Sequence, residues 1–275
     1  MPNDYWRERS IPYKPGQTAA FKVSRSKIEL FMQCPRCFWL DVRLKITRPS
    51  SPPFNINKAI DELFKKEFDT YRSQAKPHPI MQEYSIAAIP FAHDKLGEWR
   101  ENFVGVQAPH AATNLLVFGA VDDLWVSPEG QVIVVDYKAT SKAKDVSIDS
   151  DWQMSYKRQL EVYQWLLRQN GLDVSDTGYF VYTNGRMDTE GFNNKLEFRT
   201  KLIPYTGSDA WVEPTLLKMK KCMDNDDMPP VGDHIMGGEC EFCAYARERS
   251  KLTIKAMDAK RKAAEATSSA AKPKP

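Results

Sequence analysis

A chain of 275 residues with 42% hydrophobic content can enclose a real core, as one large domain or two small ones. Its net charge of +3 hides an asymmetry: from Lys251 onward seven Lys/Arg face two Asp/Glu, leaving 32 basic and 34 acidic residues in the body. Composition therefore excludes a uniformly basic nucleic-acid coat, so any basic groove is local, and no apolar run approaches the roughly 20 residues that span a bilayer.

In chain order, residues 1–23 carry Pro, Gly and charge without periodicity and read as a flexible arm. Met1 to Arg9 is polar, with no apolar signal-peptide stretch behind it, so a cytoplasmic location without membrane association is expected. Ser24 or Ser26 is placed to cap a helix carrying Ile28, Leu30, Phe31 and Phe38, because a serine oxygen satisfies exposed helix N–H groups. After a Pro-rich break from Arg48 to Pro53, Ile60, Leu63, Phe64 and Phe68 recur at helical spacing between Asn57 and about Tyr71. Residues 84–90 and 101–107 read as short strands or loops. Strands are predicted at about 115–126 and 131–138, joined by Ser127-Pro128-Glu129-Gly130, with a polar loop over 139–151. Trp152 to Gln169 is amphipathic and stops at Asn170-Gly171. Tyr179 to Tyr182 is a buried strand ended by the Asn184-Gly185 turn signal, and Leu196 to Leu202 alternates as its partner. Trp211 to Met223 is helical, and Cys240 to about Ala246 is a compact knuckle. The last stretch, Ala256 to Pro275, is expected to be disordered or at most a frayed helix. The hairpin–helix–strand order predicts an α/β fold, a mixed central sheet flanked by helices over residues 24–250, followed by a disordered basic tail at 251–275.

Chemistry enters at the end of the second strand. Val132 to Val135 is a continuous β-branched block, the pattern of a strand buried on both faces. Such a strand should not end in Asp136-Tyr137-Lys138 unless something pairs with the charges, because an unpaired buried charge costs several kcal/mol. Residues i and i+2 share a face, so Asp136 and Lys138 project together while Tyr137 turns away. Asp122 ends the preceding apolar run in Gly119-Ala120-Val121-Asp122. Two carboxylates from adjacent strands beside a lysine can bind a hard cation and position a water.

This constellation resembles the PD-(D/E)XK nuclease superfamily, with Asp122 as its first acid, Asp136 as its second and Lys138 as its lysine. Gly-x-Val-Asp before a hairpin, and Gln159 with Tyr163 in a Gln-x-x-x-Tyr pattern, resemble its RecB-like branch. The resemblance covers roughly Ser24 to Tyr245 and implies a restriction-endonuclease-like core. It further implies Mg²⁺ or Mn²⁺ held by Asp122, Asp136 and the carbonyl of Tyr137. Lys138 would orient or help deprotonate the attacking water, and Gln159 and Tyr163 would line the site and touch the nucleic-acid backbone. Where the RecB-like branch carries a histidine on an earlier helix, this chain has Asp61, another oxygen ligand, with Glu62 as its neighbour. Lys142, Lys144, Lys157 and Arg158, with Lys65 and Lys66, could form a local basic groove or an ordinary solvated face.

Cys34-Pro-Arg-Cys37 and Cys240-Glu-Phe-Cys243 form two Cys-x-x-Cys units, which in a cytosolic protein indicate metal rather than disulfides. Their spacing allows a Cys₄ zinc site or an iron–sulfur cluster that staples the chain ends together. The resemblance to iron–sulfur members of the RecB-like branch implies a [4Fe–4S] cluster, with Cys34, Cys240 and Cys243 matching its ligands and Cys37 supplying the fourth. The expected function is a divalent-metal-dependent nuclease hydrolysing DNA, single-stranded or at duplex ends, in repair, recombination or defence. With no Gly-x-x-x-x-Gly-Lys motif, any helicase or other nucleic-acid-processing activity would come from a partner. The alternative is a non-catalytic nucleic-acid-binding or scaffold module on the same fold, motivated by Asp61 at the histidine position.

Overall fold

The computed structural model describes residues 11–50, 54–233 and 238–270, so the expectations for residues 1–10 and 271–275 lie outside the described residues. Within the expected arm Tyr13 is docked: it is buried, donates its N–H to Val42 O at 2.9 Å and its hydroxyl to Asp224, while most of residues 14–20 are exposed. Strand β1 (Phe21–Ser24) ends at Ser24, whose hydroxyl caps helix α1 (Arg25–Gln33) by accepting the Lys27 N–H at 3.3 Å. The single helix expected through Phe38 is in fact two. Cys34 is extended and Pro35 opens α2 (Pro35–Leu44), because a proline N has no hydrogen to give to the turn before it.

Helix α3 (Asn55–Ser73) is followed by a short helix α4 (Pro79–Glu83), strand β2 (Ile89–Pro90), a short helix α5 (Leu96–Trp99) and strand β3 (Val106–His110). The run expected as one strand over 115–126 divides into β4 (Leu115–Gly119) and β5 (Asp123–Val126), which belong to different sheets. Between them the Val121 N–H bonds Trp99 O at 3.1 Å instead of a strand neighbour. The first sheet has the order β1-β4-β3. The second has the order β2-β5-β6-β7-β8, where β6 is Val132–Thr140, β7 Thr177–Gly185 and β8 Phe198–Thr206. Each sheet is mixed: β1–β4 and β6–β7 are parallel and the other pairings antiparallel. A parallel pair needs a crossover, and α6 (Met154–Gln169), entered through a 3₁₀ turn at Asp151–Gln153, supplies it. Strand β7 runs through Gly185, so Asn184-Gly185 is not the hairpin turn, and β8 returns after a connection over 186–197.

The alternation along β6 sorts its side chains between two cores. Val132 and Val134 pack with Leu160, Leu166 and Leu167 of α6, whereas Ile133, Val135 and Tyr137 pack with Phe68 of α3 and Trp125 of β5. Each large apolar side chain so buried contributes on the order of 1.5–3 kcal/mol, and the strand is covered on both faces. Helix α7 (Val212–Asp224) adds Leu216, Met219 and Met223 to the α6-side core. The expected cysteine knuckle is instead the start of a helix, α8 (Glu241–Ala270), which continues through the segment expected to be disordered or at most a frayed helix. Ala, Lys and Glu are strong helix formers, and residues 245–265 are exposed, so local propensity sustains this helix. Among the described residues no helix is long and apolar enough to cross a membrane.

Candidate active site

The antiparallel register of β5 on β6 pairs Asp123 with Val135, so Asp122, one step earlier, comes opposite Asp136. Asp122 Oδ2 accepts the backbone N–H of Tyr137 at 2.9 Å, which ties the two strand ends together. Asp136 is fully buried. Its Oδ1 accepts Gln159 Nε2 at 2.9 Å, while Oδ2 lies against the Lys138 ammonium as an ion pair and has no well-formed hydrogen bond. Burial, then the neighbouring charge of Asp136, pushes the Asp122 carboxyl up from its ordinary value. Burial alone would depress the Lys138 ammonium, but Asp136 and Asp122 outweigh it and hold its pKa above the usual range. The lysine is therefore a fixed positive charge here.

Strand parity and helix periodicity bring the remaining side chains in. Asp136 and Lys138 face α6, from which Gln159 Nε2 also reaches the Tyr163 hydroxyl at 3.1 Å. Tyr163 is buried and its ring lies against Gly119, where an added Cβ would come within 2.7 Å of Tyr163 Cε1. Glycine at 119 is therefore a space requirement of the tyrosine rather than a turn requirement. Gly119→Ala should displace Tyr163 and destabilise the fold by roughly 1–3 kcal/mol, the usual cost of overpacking, readable as a lowered urea midpoint. Tyr156, which sequence places only on the apolar side of this helix, also joins the site: Lys138 Nζ lies 4.7 Å from its ring centroid. The signal was available, since Tyr156 sits three residues before Gln159 and so shares its helix face.

Asp61, on α3, lines two openings. One is a cleft of about 590 Å³ shared with Asp122, Lys58, Lys65, Lys66 and Arg100. The other, about 250 Å³, is shared with Asn57, Tyr137, Lys138 and Tyr156. Burial, and then the charge of Asp122, raises the Asp61 carboxyl, and Lys65 Nζ pairs with it at 2.6 Å. Glu62 and Lys66 also line the larger cleft. The other basic candidates are engaged elsewhere or exposed. Arg158 makes a bidentate pair with Glu29 at 2.7 and 2.8 Å. Lys142 lies 5.8 Å from the Trp152 ring, Lys157 lies 5.5 Å from the Tyr205 ring, and Lys144 is exposed.

Asp123, next in sequence to Asp122, points to the opposite face. It is fully buried and receives Arg72, Arg100 Nη2 at 2.8 Å, the Leu124 N–H at 2.8 Å and the Tyr137 hydroxyl at 2.7 Å. Three donors converge on Oδ1 and the Tyr137 hydroxyl takes Oδ2, so this carboxylate is engaged in bracing the strand.

At the C-terminal end of α1 the cysteines of the two Cys-x-x-Cys units converge: the sulfurs of Cys34, Cys37, Cys240 and Cys243 all lie within 4.8 Å of one another. Burial would raise the Cys34 thiol, but the N–H groups of Cys37 and Gly232, at 3.4 and 3.3 Å from its sulfur, bring it down to about 7. Cys222 lies apart on α7.

A family model described as the PD-(D/E)XK nuclease superfamily matches residues 22–247. Among solved structures, the chain is similar to one described as "Crystal structure of SSO0001", with 14% identity over 76% of this chain and 79% of that chain and a TM-score of 0.33. No curated protein matches.

Proposed function

We propose that this chain, which belongs to the PD-(D/E)XK nuclease superfamily, hydrolyses phosphodiester bonds of DNA with a divalent cation, Mg²⁺ or Mn²⁺. The observation that carries this reading is the convergence of Asp122, Asp136 and Lys138 at the ends of adjacent strands beside an open cleft. The residues fit a hard cation. Asp136 Oδ2 has no hydrogen bond apart from its ion pair with Lys138, the Asp122 carboxyl is raised by burial and then by the charge of Asp136, both of which a cation would offset, and oxygen donors suit magnesium. Asp122, Asp136 and the Tyr137 carbonyl would hold it, with Asp61 as a further oxygen donor on the cleft wall. Bound there, a divalent cation supplies Lewis acidity toward the phosphodiester and lowers the pKa of the attacking water.

The chain's own groups do the rest. Gln159 holds Asp136 through Oδ1, which fixes the orientation of Oδ2. Tyr163 in turn accepts from Gln159, and Tyr156 covers Lys138. Lys138, kept charged, offsets negative charge that develops on the phosphate as the water oxygen bonds to phosphorus and the sugar oxygen departs with a proton. Lys138→Met should lower kcat by about 10²–10³-fold while leaving DNA affinity near wild type, as expected for loss of one preorganised charge. A matching loss of affinity would instead make Lys138 a binding group.

The cleft also explains why a cation would be needed for binding. Its walls carry four basic residues (Lys58, Lys65, Lys66, Arg100) against five acidic ones (Asp61, Glu62, Asp69, Glu101, Asp122), which is no basin for a polyanion until some acids are neutralised. Pairing of Gln159 with Tyr163 on α6 and Gly119 ahead of Asp122 support the RecB-like branch. On this reading the activity belongs to repair, recombination or defence; with no Gly-x-x-x-x-Gly-Lys motif in the sequence, any helicase or other nucleic-acid-processing step there falls to a partner. Five free cysteines suit a reducing, cytoplasmic setting. The test is incubation of the full chain with single-stranded and duplex DNA, linear and circular, in Mg²⁺, Mn²⁺ or EDTA. Cleavage confined to the divalent-cation samples is expected. Binding without cleavage under both cations would sink the reading and favour a non-catalytic scaffold.

A further inference from the structure

The four-cysteine cluster takes no part in the chemistry above, and its dimensions specify what it holds. Cys34 Sγ lies 3.8 Å from Cys243 Sγ, and Cys37 Sγ lies 3.7 Å from Cys240 Sγ and 3.6 Å from Cys243 Sγ. A zinc ion with thiolates at about 2.3 Å in a tetrahedron places neighbouring sulfurs about 3.8 Å apart. A four-iron cluster interposes a cage of iron and sulfide between its cysteines, which pushes the sulfurs further from one another than any pair in this set. The [4Fe–4S] cluster implied by the resemblance to iron–sulfur nucleases therefore does not fit these four residues. The ligand pattern agrees: two Cys-x-x-Cys units, one at the start of α2 and one at the start of α8, give a two-plus-two arrangement.

The surroundings favour an ionised set. Cys34 Sγ accepts two backbone N–H groups, from Cys37 and Gly232. Glycine is needed at 232, since a Cβ there would lie 2.4 Å from Gln33 O and 2.5 Å from Cys34 Cα. Arg48 stacks on Phe242 with its guanidinium carbon 4.6 Å from the ring centroid, and its Nη2 lies 3.3 Å from Cys240 Sγ. Its Nε is buried with no hydrogen-bond partner. A half-buried guanidinium gains little from four neutral thiols, whereas four thiolates around one Zn²⁺ carry a net negative charge that it offsets. We infer that Cys34, Cys37, Cys240 and Cys243 bind a single tetrahedral zinc ion, a structural clasp between the first helices and α8. The clasp is wired to the catalytic helix: Arg48 Nη1 donates to Gln33 at 2.7 Å, Gln33 to Glu29 at 3.0 Å, and Glu29 holds Arg158, the neighbour of Gln159.

This inference is independent of the nuclease reading, and the experiment keeps the two apart. The full chain is purified without oxygen and without an affinity tag, then analysed for metals and acid-labile sulfide and by absorption spectroscopy. About one zinc per chain, no sulfide and no visible absorption are expected, with the same zinc content in Asp136→Asn. Growth with cobalt should give a coloured protein with the intense visible bands of a tetrahedral thiolate site. Arg48→Met, which leaves every ligand in place, should weaken zinc affinity about 10-fold, the usual range for an outer partner. Iron with stoichiometric sulfide and a brown absorption would overturn the inference. Four freely titratable thiols and no metal would do the same.

Discussion

Asp136→Asn should abolish divalent-cation-dependent cleavage, lowering kcat/KM by about 10³-fold or more, equivalent to about 4 kcal/mol of transition-state stabilisation, while leaving the protein folded. The substitution keeps the shape of the side chain and the Oδ1 acceptor that Gln159 uses, so the contact to α6 survives. It removes the charge on Oδ2, the oxygen that has no hydrogen bond and faces Lys138. Lys138 is not stranded, because Asp122 also stabilises its charged form, and the part of the Asp122 shift that comes from Asp136, added to that from burial, is relieved. Stability should therefore change far less than activity. Initial rates on DNA in Mg²⁺, beside a melting curve, read both quantities. Wild-type cleavage by the variant would remove Asp136 from the reaction and with it the whole assignment of the site.

How far the sequence discloses this arrangement depends on the physical range of each feature. The β-branched run ending in Asp-x-Lys is a local, period-two signal, so strand β6 and the shared face of Asp136 and Lys138 are legible from the seven residues Val132 to Lys138. The face of α6 that carries Gln159 and Tyr163 is legible for the same reason, from helical spacing. What is not legible is non-local. Nothing in the apolar run from Leu115 to Val126 marks where the chain leaves one sheet for another, because the switch depends on Trp99 accepting the Val121 N–H. Gly119 reads as a motif glycine, yet its reason is the Tyr163 ring, 44 positions away. Arg158 reads as a candidate for a basic groove, and its partner Glu29 is 129 positions away. At the cysteines, spacing admitted either zinc or an iron–sulfur cluster, since a choice between them needs distances between sulfurs that local sequence does not carry.

The sharpest separation of neighbouring residues concerns Asp122 and Asp123, which composition and charge make indistinguishable and strand parity sends to opposite faces. Asp123→Ala should cost about 3–5 kcal/mol of folding free energy, the range for removing one partner from a buried ion-pair network. It strips the shared acceptor from Arg72, Arg100 and the Tyr137 hydroxyl at once and leaves two guanidinium groups facing a cavity. For a chain of this size that loss corresponds to a fall in Tm on the order of 10 °C. Asp122→Asn should do the reverse: it removes a carboxylate that burial and Asp136 already disfavour, so stability should hold or rise while cleavage is lost. Urea midpoints of the two variants, measured beside wild type without divalent cations, make the comparison direct. A larger loss of stability in Asp122→Asn than in Asp123→Ala would mean that the two carboxylates have exchanged roles, and that the cation reading had been attached to the wrong acid.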